Sequence, residues 1–233
     1  MVDNRVLADY NYVLSNQALR NFKRPMNIFY IDPDPITCAE YHVDSHVRKM
    51  VIEYAQMLST AHRVLDGEKY EDYSSGRKIT RWRHPDIVLD SVLYKSTHVN
   101  HPCNIWVRQS AGNYQYLYEL FVAVADEFIF RREKVNLTDT KLRYVLDRLP
   151  VNIPEGEMTT PALAMPEEYH QEDAVAAYRN FYINDKAHLK EYTDRPVPFW
   201  WDDKGEQEWW EDDCEHADHG VPYVNGPLPS WSW

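Results

Sequence analysis

Apolar residues recur along this chain mostly at spacings of three and four, which is the period of helices packed on a core. Val6, Leu7, Tyr10, Val13, Leu14 and Leu19 fall roughly on one side of a helix over residues 3–22. Met26 to Ile31 (MNIFYI) is a short apolar and aromatic run, which predicts a buried strand or an extended entry segment. Asp32-Pro33-Asp34-Pro35 then reads as a helix start. Asp34 can cap, and Pro35 suits the first helical position, where its missing N–H has no partner to lose. The helical pattern continues to about Leu65. Val47, Met50, Val51, Tyr54, Leu58, Ala61 and Leu65 build its core face, and Asp66-Gly67 ends it.

Residues 67–85 are polar and irregular, with acids first and then a basic cluster of Arg77, Lys78, Arg81 and Arg83. A short helix is predicted over 86–96, a long amphipathic helix over 103–132 behind Pro102, and another over 138–148. Residues 150–167 carry prolines and no period, so they read as a loop wrapping the body. Residues 172–192 form the last clear helix, and Arg195 to Trp201 (RPVPFWW) is an extended aromatic segment expected to dock. The expected fold is mainly α. A single helical domain over 26–201 opens with one short N-terminal strand or extended segment. A helical extension (1–25) precedes it and an acidic, Trp-rich C-terminal tail (202–233) follows.

Composition sharpens this picture in three places. Only 7 Gly among 233 residues argues against glycine-rich phosphate loops and turn-dense β folds. No apolar run reaches the roughly 18–20 residues that span a bilayer, and the first residues lack a secretory pattern. A cytoplasmic protein without a membrane partner is therefore expected. The three cysteines are scattered, which fits a reducing compartment and no disulfide framework. The net charge of −12 is concentrated in residues 202–219, where nine acids face the single Lys204. The remaining chain is only mildly acidic, so a nucleic-acid partner has to be met by local basic patches.

Candidate chemistry gathers on two segments. His46, Lys49, Glu53, Gln56, Thr60 and Arg63 form a polar stripe beside the core face of the long helix. The plain reading is a solvated face with a Lys49–Glu53 ion pair. The functional reading notes the mixture of catalytic residue types next to a core, where a partly buried Glu gains a raised pKa and can serve as general acid or base. The second segment is His98-Val99-Asn100-His101-Pro102, followed by Trp106, Arg108, Asn113 and Tyr114. Pro102 at a helix start places His101 near exposed N–H groups that suit an anion. Its plain reading is a His-Pro cap with aromatic residues in the core. Two metal readings stand beside these, one at His42, His46, His98 and His101, the other at Cys214, His216 and His219. Neither has a recognised ligand motif, and no P-loop, GxGxxG or GxSxG element is found. No cofactor and no resident metal are expected.

The run MNIFYIDPDPITCAEYHVDSHVRKMVIEYAQMLSTAHRVL, with the later Asn100-His101-Pro102 and Trp106, resembles a mostly uncharacterised family common in tailed-phage genomes. In that family a MNIF-type segment leads into a D-x-H-V-x-K-M helix and an N-H-P-x3-W motif. The layout is also similar to pyrimidine-dimer DNA glycosylases of the phage endonuclease V type, which are small all-helical enzymes. The matching positions are Glu53, His101, Pro102, Trp106, Tyr116, Leu117, Glu127, Arg131 and Lys141. The resemblance implies attack on the sugar C1′ by the amine of the N-terminal residue, with imine formation and a Glu managing protons. Here Met26 aligns with the start of those enzymes and 25 residues precede it, so Lys49 is the available substitute amine.

These readings converge on an enzyme acting on nucleic acid or nucleotides. It is expected to be a glycosylase-like hydrolase or lyase, or a DNA-modifying transferase. Glu53, Lys49 and His46 are the candidate catalytic residues. Gln56, Arg63, His98, Asn100, His101, Trp106, Arg108 and Tyr114 are expected to bind substrate, and Arg77, Lys78, Arg81 and Arg83 to contact the backbone. Two rivals are an interaction protein that binds a host or phage protein through its acidic aromatic tail, and a His-based metal-dependent hydrolase.

Overall fold

The structure is a computed structural model that describes residues 26–201. The expected helix over 3–22, the acidic tail and the Cys214/His216/His219 cluster lie outside the described residues. Seven α-helices and one hairpin follow in order: α1 (Pro35–Glu40), α2 (Asp44–Asp66), β1 (Glu68–Asp72), β2 (Ile79–Arg83), α3 (Ile87–Val92), α4 (Pro102–Val107), α5 (Ala111–Arg132), α6 (Leu137–Leu146) and α7 (Ala174–Asp185). The fold is mainly α, and among the described residues no helix is long and apolar enough to cross a membrane.

The segment Met26–Ile31 threads the core without a strand partner among the described residues, and it turns at Phe29, where φ is 51° and Ile31 N donates back to Phe29 O (2.9 Å). Its polar atoms find side chains instead. Asn27 Oδ1 accepts from the Ile28 and Phe29 amides (2.7 and 3.1 Å), the Tyr54 hydroxyl donates to Ile28 O, and Arg179 Nε donates to Ile31 O (2.9 Å). Ile28 and Ile31 are fully buried. An apolar run with this much side-chain satisfaction can lie in a helical core as a single irregular thread.

Two helices expected to be continuous are broken, each by a buried polar side chain. Arg131 ends α1 by donating to Glu40 O and His42 O (both 2.8 Å), and it holds Asp44, the first residue of α2, at 2.8 Å. Glu127 completes this buried ion network from the next turn of α5 (2.6 Å). The second break lies between α4 and α5, where Ser110 caps α5 by accepting from Asn113 N (3.2 Å). The free Ala111 and Gly112 amides donate to Pro154 O and Gly156 O (2.8 and 3.0 Å), so the wrapping loop satisfies the new helix end. A Cβ at Gly112 would sit 2.3 Å from Met158 N, which makes the glycine a condition of that contact.

Residues 67–85, expected to be irregular, form the antiparallel hairpin β1–β2 in the register Glu68↔Arg83 to Asp72↔Ile79. Arg63 fastens it to α2. All five guanidinium donor positions are used, on Tyr94 O, Trp82 O, Asp90 Oδ1, Asp90 O and Leu93 O. The docked aromatic segment is present, with Trp200 and Trp201 buried in a closing 3-10 turn.

Candidate functional site

The stripe on α2 keeps its helical alignment, but its neighbours divide it by role. Glu53 sits mid-helix with Lys49 Nζ 3.0 Å from Oε1. Its other oxygen, Oε2, is buried without a hydrogen-bond partner among the described residues. Burial raises the Glu53 pKa, and the Lys49 ammonium, the Asn27 backbone amide and His98 oppose that shift without cancelling it. A carboxyl in this setting holds its proton more tightly than a solvated Glu, as acid–base work requires.

Two turns on, Thr60 Oγ1 donates to Gln56 O (2.7 Å) and accepts from Thr97 N (3.2 Å), which ties the 96–100 loop to α2. Asn104 on α4 donates to Thr97 O and His98 O (3.2 and 3.1 Å). The Thr97 hydroxyl bonds His98 Nδ1 at 2.7 Å. Together these contacts hold His98 at φ 44°, a left-handed conformation that is unfavourable for a residue with a Cβ.

His98 also lines a groove of about 590 Å3 between this loop and the hairpin. Lys69, Arg81 and Trp82 form the hairpin wall, and Asn100 lies on the loop side. Lys69 Nζ stands 5.9 Å from the Trp82 ring centre. Arg81 donates to Ser96 O (3.1 Å) and lies 3.7 Å from Asp72, so it braces hairpin against loop. Cations beside an indole face and an imidazole suit a phosphorylated, stackable ligand. Lys69, Trp82, Thr97 and Asn104 were not legible as site residues. The one available signal is the alternation in Ile79-Thr80-Arg81-Trp82-Arg83, which marks a strand.

Several expected site residues are committed to structure instead. Arg63 has no free donor, as described above. Tyr114 is fully buried between His62 Nε2 and Leu146 O (both 2.9 Å), and Trp106 is buried with Nε1 on Thr159 O (3.3 Å). Neither offers a stacking face. His46 is buried, stacked on Phe29 (4.2 Å between centroids) and bonded through Nδ1 to the Tyr182 hydroxyl (2.6 Å). His101 caps α4 by accepting from Cys103 N (3.3 Å), so its own ring fills the expected anion position. Arg108 donates to Val99 O (2.9 Å) and supports the loop from beneath. Of the basic cluster, only Arg81 lines the groove. Lys78 pairs with Glu71, and Arg83 stacks over Tyr70 (5.1 Å). Arg77 is exposed in the hairpin loop.

The metal reading on His42, His46, His98 and His101 does not hold among the described residues. His42 uses Nδ1 on Cys38 O (2.6 Å) and Nε2 on the Tyr54 hydroxyl (2.9 Å). Of the residues that the glycosylase layout implies, Glu127 and Arg131 are committed to the ion network. Tyr116 donates to Asp32 O (3.2 Å), and Lys141 covers the Tyr94 ring (5.1 Å). Compared with known proteins, the chain matches no family model, no curated protein and no solved structure.

Proposed function

We propose that this protein is an enzyme acting on nucleic acid or a nucleotide, with Glu53 as the general acid/base. The observation that carries this reading is the buried, partnerless Oε2 of Glu53, within electrostatic reach of His98 at the edge of a basic, aromatic groove. Lys69 and Arg81 meet phosphate, Trp82 offers a face to a base, and His98 and Asn100 supply edge contacts. Lys49 positions the Glu53 carboxylate and is the amine nearest to it on α2. Of the glycosylase-like layout, Glu53 keeps its implied role, and bond cleavage at a glycosidic carbon is the reaction class we infer from it.

The test uses the full chain with DNA that carries modified or damaged bases, and chromatography to follow base release. Glu53→Gln is expected to lose about 10²–10⁴-fold in rate, the range typical of general acid–base contributions. Borohydride trapping separates the lyase route, in which a Lys49 imine is captured, from simple hydrolysis, in which nothing is trapped. Undiminished base release by a folded Glu53→Gln protein rejects the assignment.

A further inference from the structure

A second constellation lies at the far end of α2, where the helix meets the hairpin. His62 and Asp66 stand one turn apart on α2, and His84 follows β2. One ligand atom from each lies within 4.8 Å of the other two. His62 and His84 are buried, and the Asp66 side chain is only 5% exposed. Two of the ring nitrogens, His62 Nδ1 and His84 Nε2, are buried without a hydrogen-bond partner among the described residues. Such atoms are rare in folded proteins unless a ligand or water meets them.

Local chemistry defines what they offer. The Tyr114 hydroxyl donates to Leu146 O, so it accepts from His62 Nε2–H, and His62 Nδ1 is left with a lone pair, the Arg148 backbone lying near the ring. Asp66 is held in place by backbone donors, with Val151 N on Oδ2 and Asn152 N on Oδ1, both at 2.8 Å. Oδ2 then faces His84 Nε2 at 3.8 Å. Gly67 permits this approach, because a Cβ there would meet the Arg83 carbonyl at 2.8 Å.

We propose that His62 Nδ1, His84 Nε2 and an Asp66 carboxylate oxygen form a binding site for a divalent transition metal ion of the zinc class. Two imidazoles and a carboxylate are the donors such ions prefer. A tetrahedral ion with bonds of about 2.1 Å separates its donors by roughly 3.4 Å. The 3.8 Å between Asp66 and His84 needs only a few tenths of contraction. One tautomer has to change. Asp86 N donates to His84 Nδ1 (3.1 Å), which places the ring proton on Nε2 in the metal-free protein. Binding moves that proton to Nδ1 and releases the Asp86 amide to solvent, where the rest of Asp86 already lies. The ion then joins α2, the hairpin and, through Asp66, the 151–152 backbone, so its role is to clamp these three pieces.

The experiment uses the full chain with Cys214→Ser, His216→Gln and His219→Gln in every sample, so that the tail cannot contribute ligands. After chelator treatment, the protein is titrated with Co2+, read by visible absorption, and with Zn2+, read by elemental analysis and thermal unfolding. One equivalent is expected to bind, to raise Tm and to shift the Asp86 amide and the His62 and His84 ring nitrogens in NMR spectra. His84→Gln and Asp66→Asn are each expected to weaken Zn2+ at least tenfold, whereas His42→Gln leaves binding unchanged. If either variant fails to fold, the ring-nitrogen shifts of the unsubstituted triad decide the question. No stoichiometric binding, binding that leaves those shifts in place, or equal affinity in folded variants overturns the proposal.

Discussion

Glu53 keeps one carboxylate oxygen against Lys49 and hides the other, so its ionised form is disfavoured in the folded chain. Burial raises its pKa above the ordinary 4.5, and the folded protein therefore binds this proton more tightly than the unfolded one. The resulting penalty is complete above the folded pKa and fades as pH falls through that value toward 4.5. Glu53→Gln removes the charge, while Lys49, about one-third exposed, can turn to water. The variant is expected to melt higher than the parent at pH 7, and the difference should vanish near pH 4.5. Calorimetry across that range checks it, and a variant less stable at pH 7 contradicts the buried-charge account. His98 makes the companion case. A left-handed residue with a Cβ costs about 1–2 kcal/mol, which glycine relieves. His98→Gly is expected to gain part of that stability in urea titrations while losing ligand binding in the groove. A gain without loss would leave His98 outside the function.

Elements were legible in the sequence where a single period governed them and were lost where one buried side chain cut across the period. The α2 core face, the Asp34–Pro35 start and the docked Trp200–Trp201 segment follow from local pattern. The breaks at Tyr41–Val43 and Arg108–Ser110 do not, because Arg131 and the Pro154–Gly156 backbone reach them from distant sequence. The hairpin was hidden by its charges, since only its pairing makes Glu68 and Arg83 neighbours. The site divides the same way. Glu53 beside Lys49 is a one-turn relation and could be read, whereas the burial of Arg63, Trp106 and Tyr114 depended on partners 30 or more residues away, such as Leu93, Thr159 and Leu146. Arg63→Met frees four carbonyls and leaves Asp90, about one-third exposed, to water, a loss of about 1–3 kcal/mol. Hydrogen exchange over residues 68–94 is expected to accelerate first. Uniform protection across those residues in the variant would mean that the hairpin is held by other contacts.

Among the described residues, buried histidines rather than carboxylates are expected to set the acid limit of the fold. Burial lowers the pKa of His42 to about 4, of His46 to about 2 and of His62 to about 4, all from an ordinary 6.5. Each is neutral when folded and takes up a proton when unfolded below 6.5. Their stabilisation is therefore complete above that value and is lost as pH falls toward the folded values. Three such groups withdraw about 4 kcal/mol per pH unit between roughly pH 6 and 4. Glu53 opposes this with at most one proton's worth over part of the range. Asp44, held low by Thr193 and Arg131 against its burial, and Asp90, held low by the His84 amide and Arg63, stay ionised until more acidic pH. A domain near the lower end of ordinary stability, about 5 kcal/mol, is then exhausted before those carboxylates protonate. Cooperative unfolding near pH 5 is expected in urea-free buffer with chelator present, so that His62 is free to titrate. His42→Gln should flatten the pH dependence by about one proton, or 1.4 kcal/mol per pH unit. Stability that stays level down to pH 4 would mean that these rings are already protonated in the fold, and that the aromatic and hydroxyl cage around them accepts charge.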